Sequence, residues 1–344
     1  MYDIDTQFPL LSDAPVPDGV GILNAWLAVR ATDARDPLSL EASGSYRAIW
    51  GKWLRYLMPH TDAQGQRVAL TPWHEATPAQ VMAFLHGPID STKPGRAVSE
   101  VTRRRYWRLL ERIYGYALVR GWVQSNPATS MELTEQPPSE DHHGAILSPP
   151  VWQAAQCCFP QGEGLIETRD RAILHMLFAC ALAPQEVINL TLQDVRRDAR
   201  GRIIGLQLDG PGVHQRRKVA LPPGAVMALQ EWTALRGFHA AWRALPQLFV
   251  TRKGVAMGNK TLYELVQRVL YQASEQTRRP PPVRMGPQVV RNTALVRWLN
   301  EGVPPHEVVL QAGLKNLKGL YRLREHLNPN VRLAINERIG VDHQ

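Results

Sequence analysis

Apolar residues recur at three- and four-residue spacing through most of this 344-residue chain. That spacing places them on one face of an α-helix, so it confines most of the chain to helical folds. One such stripe consists of Tyr46, Ile49, Trp50, Trp53 and Leu57. The period changes between residues 202 and 221, where two short apolar runs flank Gly210-Pro211-Gly212. We therefore predict a mainly α-helical protein with one small β-hairpin.

The length of the chain predicts two domains, because domains usually span about 100–200 residues. A stretch rich in proline and polar residues separates the two halves. The predicted divisions are an N-terminal arm (1–19), a helical domain (20–132), a linker (133–146) and a second domain (147–344). His142 and His143 fall in the linker without the residue spacing of a zinc site, so we interpret them as loop residues.

Neither a cofactor nor a metal ion is expected from the sequence. Cys157, Cys158 and Cys180 lack metal-binding spacing and are predicted to be small buried residues in a reducing compartment. The N-terminal residues show no secretory signal pattern, and no run approaches about 18 consecutive apolar residues. We therefore expect a cytoplasmic protein that does not cross a membrane.

The balance of charge predicts a polyanionic partner. Lysine and arginine number 40 against 31 acidic residues, which gives a net charge of +9 and a pI of about 9.7. Such an excess attracts nucleic acid first and an anionic membrane surface second. Arg104, Arg108 and Arg112 share one sector of a predicted helix over about 98–122, where Glu111 is the one acid among them. The alternative interpretation is an ordinary solvated helix face. The candidate phosphate contacts are Lys52, Arg104, Arg105, Arg108, Arg112, Arg216, Arg217, Lys218, Arg278, Arg279, Arg284 and Arg291.

Four segments, taken in order, resemble the tyrosine recombinase family of phage integrases and Xer-like enzymes. TRDRAILHMLFACALAPQEVINLTLQDV (168–195) is similar to the segment that normally contains Gly-Leu-Arg-x-x-Glu-Leu. LQLDGPGVHQRRKVALP resembles the family's β-hairpin, and LFVTRKG the segment after it. GPQVVRNTALVRWLNEGVPPHEVVLQAGLKN (286–316) is similar to the block that normally reads His-x-Leu-Arg-His-Thr and then Leu-Gly-His. The resemblance implies a helical core-binding domain followed by a catalytic-like domain, closing as a clamp around double-stranded DNA.

The chemistry that this resemblance implies has specific demands. A tyrosine attacks a phosphodiester, arginines stabilise the charge that develops on the phosphate, and an acid protonates the leaving oxygen. At the corresponding positions this chain has Ala183, Pro211, Gln288, Arg291, Leu314 and Leu323. Arg291 alone matches the family residue, although Glu186 matches the family glutamate nearby. Gln288 and Arg291 remain able to bind a phosphate, and an ion pair between Arg291 and Glu186 is the alternative interpretation.

Three functions are compatible with this pattern. The first is a catalytically inactive, site-specific DNA binder or accessory factor for a mobile element, associated with the nucleoid. The second is an active but divergent recombinase that uses Tyr321 as its nucleophile. Tyr321 lies two residues before the family position, and on a continuous helix this offset of about 200° turns it away from the site. The third is a protein-interaction module whose C-terminal helix contacts a second copy or an active recombinase.

Overall fold

The computed structural model describes residues 15–32, 38, 40–61, 67–87, 100–131, 144–210 and 212–339. The chain divides into two compact units, residues 1–141 and 142–344, and each unit has its own hydrophobic core. Residues 1–14 of the predicted arm, residues 133–143 of the predicted linker and Pro211 lie outside the described residues. The predicted interpretation of His142 and His143 therefore also lies outside them.

Unit 1 (residues 1–141) is built from helices, with one short two-stranded ladder among its described residues. Its helices are α1 (Gly19–Ala31), α2 (Leu40–Tyr56), α3 (Pro78–His86) and α4 (Glu100–Val119), and its strands are β1 (His60–Thr61) and β2 (Arg67–Val68). Helix α3 begins where Thr77 and Gln80 cap each other, as the Thr-Pro sequence predicts. Residues 15–18 pack on this unit, since the carbonyl of Pro17 accepts a hydrogen bond from Trp73.

The core of unit 1 is centred on tryptophan and tyrosine side chains. The predicted stripe on α2 is confirmed, because Trp50 and Trp53 are almost completely buried. The Tyr114 hydroxyl, also buried, accepts a hydrogen bond from Trp53 Nε1 at 3.0 Å and donates one to the carbonyl of Trp73 at 2.7 Å. Burial raises the pKa of Tyr114 well above its usual range, although its hydrogen bond to Trp53 lowers it in part. One hydroxyl therefore ties α2, α4 and the segment before α3 together.

Removing this hydroxyl should destabilise unit 1. In Tyr114→Phe the Trp53 indole N–H loses its partner and the Trp73 carbonyl keeps only its longer hydrogen bond from Ala76 N at 3.4 Å. A buried donor without a partner costs about 1–3 kcal/mol. We expect the free energy of unfolding to fall by roughly 2 kcal/mol in urea titrations monitored by tryptophan fluorescence. Tyr116→Phe, at a half-buried site on the same helix, is the matched control and should change little. Equal stability of the two variants would contradict this account of the core.

Unit 2 (residues 142–344) surrounds a three-stranded antiparallel sheet with helices. Its elements are α5 (Pro149–Cys157), α6 (Leu165–Phe178), α7 (Pro184–Asn189), β3 (Val195–Arg197), β4 (Ile203–Asp209), β5 (Arg216–Val219), α8 (Pro223–Phe238), α9 (Asn259–Gln276), α10 (Pro287–Asn300), α11 (Pro305–Ala312), α12 (Lys318–Tyr321) and α13 (Pro329–Ile339). The strand order is β3-β4-β5, with Leu206 of β4 paired to Val219 of β5. The predicted hairpin is confirmed as β4 and β5.

Two features of unit 2 differ from the sequence prediction. Strand β3 was not predicted, because it has three residues of which only Val195 is buried, and so short a strand shows no alternation. Helix α6 was predicted to continue to Leu182 but ends at Phe178. The chain leaves it through Ala181, whose φ of 49° lies in the left-handed region that favours glycine. An alanine at this position gives no sequence signal for a helix end.

The burial of the cysteines differs from the prediction at one position. Cys180 is buried, and burial raises the pKa of its thiol to about 12. Cys158 is partly buried, whereas Cys157 is exposed, because it lies in the last turn of α5 on the solvent side. The prediction that all three are buried is therefore wrong for Cys157. Among the described residues we find no cluster of three metal-ligating side chains.

The C-terminal region packs onto unit 2 itself. Ile335 of α13 is fully buried, and Val331 contacts the same core. The apolar spacing noted in the sequence thus has an intramolecular explanation in these residues. Across the described part of the chain, no helix has both the length and the apolar character that spanning a membrane requires.

Candidate functional site

Three charged side chains from distant parts of unit 2 meet around one carboxylate. Glu186 lies in the first turn of α7, Arg217 on β5 and Arg291 on α10. Arg217 donates two hydrogen bonds to the Glu186 carboxylate, at 2.6 and 3.0 Å, and Arg291 Nη1 lies 3.4 Å from Glu186 Oε2. We name these three residues the Glu186 cluster.

Local sequence explains how Glu186 reaches this position. Ala183 has extended backbone, and Pro184 begins α7 with its φ already suited to a helix. Glu186 then folds back so that its carboxylate accepts a hydrogen bond from the Ala183 N–H at 2.7 Å. A carboxylate in the first turn is also favoured by the helix dipole.

The two arginines also bind the end of helix α11. Arg291 Nη2 donates to the carbonyl of Ala312 at 2.6 Å, and Arg217 Nε donates to the carbonyl of Gln311 at 2.7 Å. Cations at a helix C-terminus satisfy carbonyls that have no partner within the helix. The next residue, Gly313, has a φ of 65°, and a Cβ there would overlap the Arg217 guanidinium. The turn after α11 therefore requires glycine for two reasons.

All three members of the cluster are charged at neutral pH. Burial by itself raises the pKa of Glu186. The hydrogen bond and charge of Arg217, the hydrogen bond from the Ala183 N–H and the charge of Arg291 together lower this pKa by more than burial raises it, so the net shift is downward. Burial lowers the pKa of Arg291 to about 10, with Glu186 opposing the shift. Two cations and one anion leave the cluster with a net charge of +1, which favours an anion.

The remaining family positions carry neither a charge nor a nucleophile in the described residues. Ala183 caps α7, Leu314 is partly buried, and Leu323 is fully buried in the core. Gln288 is exposed at the start of α10 and donates to Asn292 Oδ1 at 2.9 Å. Pro211 lies outside the described residues. Arg291 forms the ion pair with Glu186 that the sequence left open as the alternative.

The structure corrects the argument made for Tyr321. We assumed a continuous helix through residue 323, but α12 ends at Tyr321 and Leu323 turns into the core. Tyr321 is partly buried, and the guanidinium of Arg324 lies 4.2 Å from the centre of its ring. Among the described residues, no hydrogen bond joins the Tyr321 side chain to the Glu186 cluster.

Sequence reasoning missed Arg322 and Asn292. Asn292 Oδ1 accepts hydrogen bonds from both Gln288 and Arg322, and its amide donates to the carbonyl of Ala145 at 3.1 Å. The spacing of four residues between Gln288 and Asn292 on α10 was an available signal. No sequence signal pointed to Arg322, because its position depends on where α12 ends.

The predicted DNA-binding cations differ in whether they are exposed or already contact other groups of the protein. The Arg217 side chain is 8% exposed and bound to Glu186, whereas Arg216 and Lys218 on the same strand face solvent. A phosphate contact from Arg217 stays a prediction. On unit 1, Arg104 lies over Trp107, and Lys52 contacts the ring and hydroxyl of Tyr106. The other predicted cations are placed as follows: Arg105, Arg112, Arg278, Arg279 and Arg284 are exposed, and Arg108 is partly buried.

Residues 159–323 match the sequence model of the phage integrase family. This region of the chain belongs to that family, the tyrosine recombinases. It contains the whole Glu186 cluster and both strands of the predicted hairpin. Comparison with curated protein sequences gave no match.

Solved structures of tyrosine recombinases share the fold of this chain. The Tn1549 transposon integrase in complex with a circular intermediate DNA has a TM-score of 0.63 at 15% identity, covering 93% of this chain and 99% of the other. XerH recombinase bound to a palindromic difH substrate has a TM-score of 0.62 at 14% identity, covering 93% and 84%. A lambda integrase dimer bound to a core site has a TM-score of 0.54 at 11% identity, covering 88% and 76%. The predicted fold class, mainly α with a small sheet in a tyrosine recombinase architecture, is confirmed.

The Glu186 carboxylate should stabilise unit 2 strongly. Glu186→Gln leaves two largely buried guanidinium groups without a counter-charge, and breaking such a pair costs about 3 kcal/mol or more. We expect that loss in the free energy of unfolding at pH 7, and a smaller difference from the parent protein at low pH. Because the folded-state pKa of Glu186 is depressed, its contribution is present above the unfolded-state pKa and is lost as the pH falls through the folded-state pKa.

Glu231→Gln provides the control. It removes a carboxylate that is 49% exposed from its pair with Arg171, and it should cost less than about 1 kcal/mol. A Glu186→Gln variant as stable as this control would show that the cluster does not stabilise the fold.

Proposed function

We propose that this tyrosine recombinase homologue is a site-specific binder of double-stranded DNA that does not cleave it. The observation that carries the proposal is the Glu186 cluster. It retains one family arginine, Arg291, next to a second guanidinium from the hairpin, while the family's other arginine position is Ala183 and its tyrosine position is the buried Leu323. Such a site can hold a phosphate but lacks the expected nucleophile and general acid.

Charge and fold support DNA as the partner. The net charge is +9, and exposed cations lie on α4, on β5 and in the loop before α10. The solved structures with this fold include recombinases in complex with DNA. We propose that the two units close around a duplex and that arginine and lysine side chains contact its phosphates. The biological role that fits is an accessory factor in the recombination or integration of a mobile element, acting at the nucleoid, alone or beside an active recombinase.

Binding should weaken steeply with salt. Each phosphate neutralised by a lysine or arginine contributes a slope of about −0.9 to the plot of log affinity against log salt concentration. We expect the double variant Arg216→Gln/Lys218→Gln to reduce that slope by about 2, measured by fluorescence anisotropy on a duplex selected from genomic fragments.

The double variant Lys260→Gln/Arg297→Gln is the charge-matched control. Both residues pair with a glutamate one helical turn away, so their replacement should leave the slope unchanged. A flat salt dependence in the parent protein would refute phosphate-based DNA binding.

The absence of cleavage can be tested by covalent trapping. We expect no covalent adduct on a denaturing gel after incubation with a nicked suicide duplex, because no tyrosine occupies the position of Leu323. An adduct that is lost in Tyr321→Phe but kept in Tyr263→Phe would establish the alternative, a divergent recombinase with Tyr321 as its nucleophile.

A further inference from the structure

A cavity of about 730 Å³ lies in unit 2 where α6, α8 and the loop before α6 meet. Its walls include Thr168, Arg171 and His175 from α6 and Met227 and Glu231 from α8. No member of the Glu186 cluster lines it. Ligand pockets in proteins usually enclose about 300–1,000 Å³, so this cavity has the size of a binding site for a small organic group.

The charge of this cavity is opposite to that of the whole chain. Glu163, Glu231 and Arg171 line it, so two carboxylates and one guanidinium leave a net charge of −1, whereas the chain carries +9. The guanidinium is already engaged. Arg171 Nη1 donates to the carbonyls of Pro160 and Gly162 at 2.8 and 3.0 Å, and Nη2 donates to Glu231 Oε2 at 2.9 Å. Among the described residues, no donor is hydrogen-bonded to the Glu163 carboxylate or to Glu231 Oε1.

Two polar side chains of the cavity wall have no hydrogen-bond partner in the described structure. Thr168 is 1% exposed, and its hydroxyl is unpaired. The half-buried His175 ring packs edge-on against Phe159, with 5.3 Å between the ring centres, and its nitrogens are unpaired as well. Burial and the charge of Arg171 lower the pKa of His175, and Glu231 opposes them in part. The ring is therefore neutral at pH 7, and one of its nitrogens is an acceptor.

An unpaired buried hydroxyl points to a ligand. Such a group costs free energy in a folded protein, so most buried hydroxyls are paired. A ligand that donates a hydrogen bond to Thr168 would remove that cost. The acceptors of the cavity outnumber its free donors, because Arg171 is bound to Glu231 and to two carbonyls. The wall therefore fits a ligand that is rich in donors.

Helix α8 adds an apolar surface beside these acceptors. Met227, Ala228 and Leu235 line the cavity, and Met227 is exposed although it is a large apolar residue. Gly224 leaves the edge of the His175 ring open, because a Cβ there would lie 3.2 Å from His175 Cε1. A hydrocarbon chain can lie along this surface while its polar end reaches the acceptors.

We propose that this cavity binds an aliphatic organic cation, which is a hydrocarbon chain that ends in a guanidinium or ammonium group. Such a group carries several N–H donors and no acceptor, which matches the carboxylates of Glu163 and Glu231 and the unpaired groups of Thr168 and His175. The cation is either a free alkylamine or alkylguanidine, or the lysine or arginine side chain of a partner protein. This inference does not rest on the proposed DNA binding, since the net charge of the cavity repels phosphate.

A matched pair of probes tests the requirement for charge. Butylguanidinium and butylurea have nearly the same shape, but only the first is charged. In isothermal titration calorimetry on the full chain, we expect butylguanidinium to bind and butylurea not to bind. Equal binding of the two compounds, or binding of neither, would overturn the inference.

Variants of the wall test the location of the site. Glu163→Gln/Glu231→Gln should weaken butylguanidinium binding by roughly tenfold or more, because both counter-charges are lost. Glu275→Gln/Glu307→Gln removes two exposed carboxylates outside the cavity and should bind as the parent does. Thermal melts check that both double variants fold. A folded Glu163→Gln/Glu231→Gln protein with unchanged affinity would rule out this cavity as the site.

Thr168→Val separates a ligand-binding role from a structural one. The replacement keeps the shape of the side chain and removes an unpaired hydroxyl, so we expect severalfold weaker butylguanidinium binding without a fall in Tm. A lower Tm with unchanged affinity would contradict the assigned role of Thr168.

A fourth probe distinguishes the two sources of the cation. Nα-acetylarginine N-methylamide carries the arginine side chain between two peptide groups, as a partner protein would. If it binds as tightly as butylguanidinium, the cavity accepts a side chain of a partner protein. If butylguanidinium binds and this probe does not, the ligand is a free cation. Because none of these measurements contains DNA, their failure leaves the proposed function standing.

Discussion

The arrangement of unit 2 depends on one shared carboxylate. Glu186 binds Arg217 and Arg291, and through them the turn before α7, the hairpin and α10 are held against the end of α11. Glu186 and Arg291 alone lie 105 residues apart in the chain. A carboxylate with two arginines leaves one positive charge, so the interaction that orders the fold also leaves the site attractive to anions.

The sequence was sufficient for much of this architecture. Periodic apolar residues predicted the helices, and the glycines and proline at 210–212 predicted the hairpin. The order of four motifs identified the family. Strand β3 and the end of α6 escaped prediction for a common reason, since tertiary contacts fix both. A three-residue strand has no detectable period. Ala181 adopts a left-handed backbone conformation that glycine usually occupies, so no glycine marks the end of α6 in the sequence.

At the site, the sequence identified single residues but not their partners. It singled out Arg291, Gln288 and the replaced family positions, and it proposed Glu186 as a partner for Arg291. It treated Arg217 as a solvent-facing cation, because strand alternation alone does not show which side meets another element. The sequence did not identify Arg322 as a site residue, and the reason is geometric. Its direction follows from the burial of Leu323 and from where a four-residue helix stops, and neither is encoded by a local pattern.

The segment that enters unit 2 has a mechanical consequence. Gly144, Ala145 and Leu147 are hydrogen-bonded in succession to Arg322, Asn292 and Thr293, so the incoming chain is fastened to α10 and to the chain after α12 at three points. These three hydrogen bonds therefore fix residues 144–147 to α10 and to the backbone of Arg322 in a single arrangement.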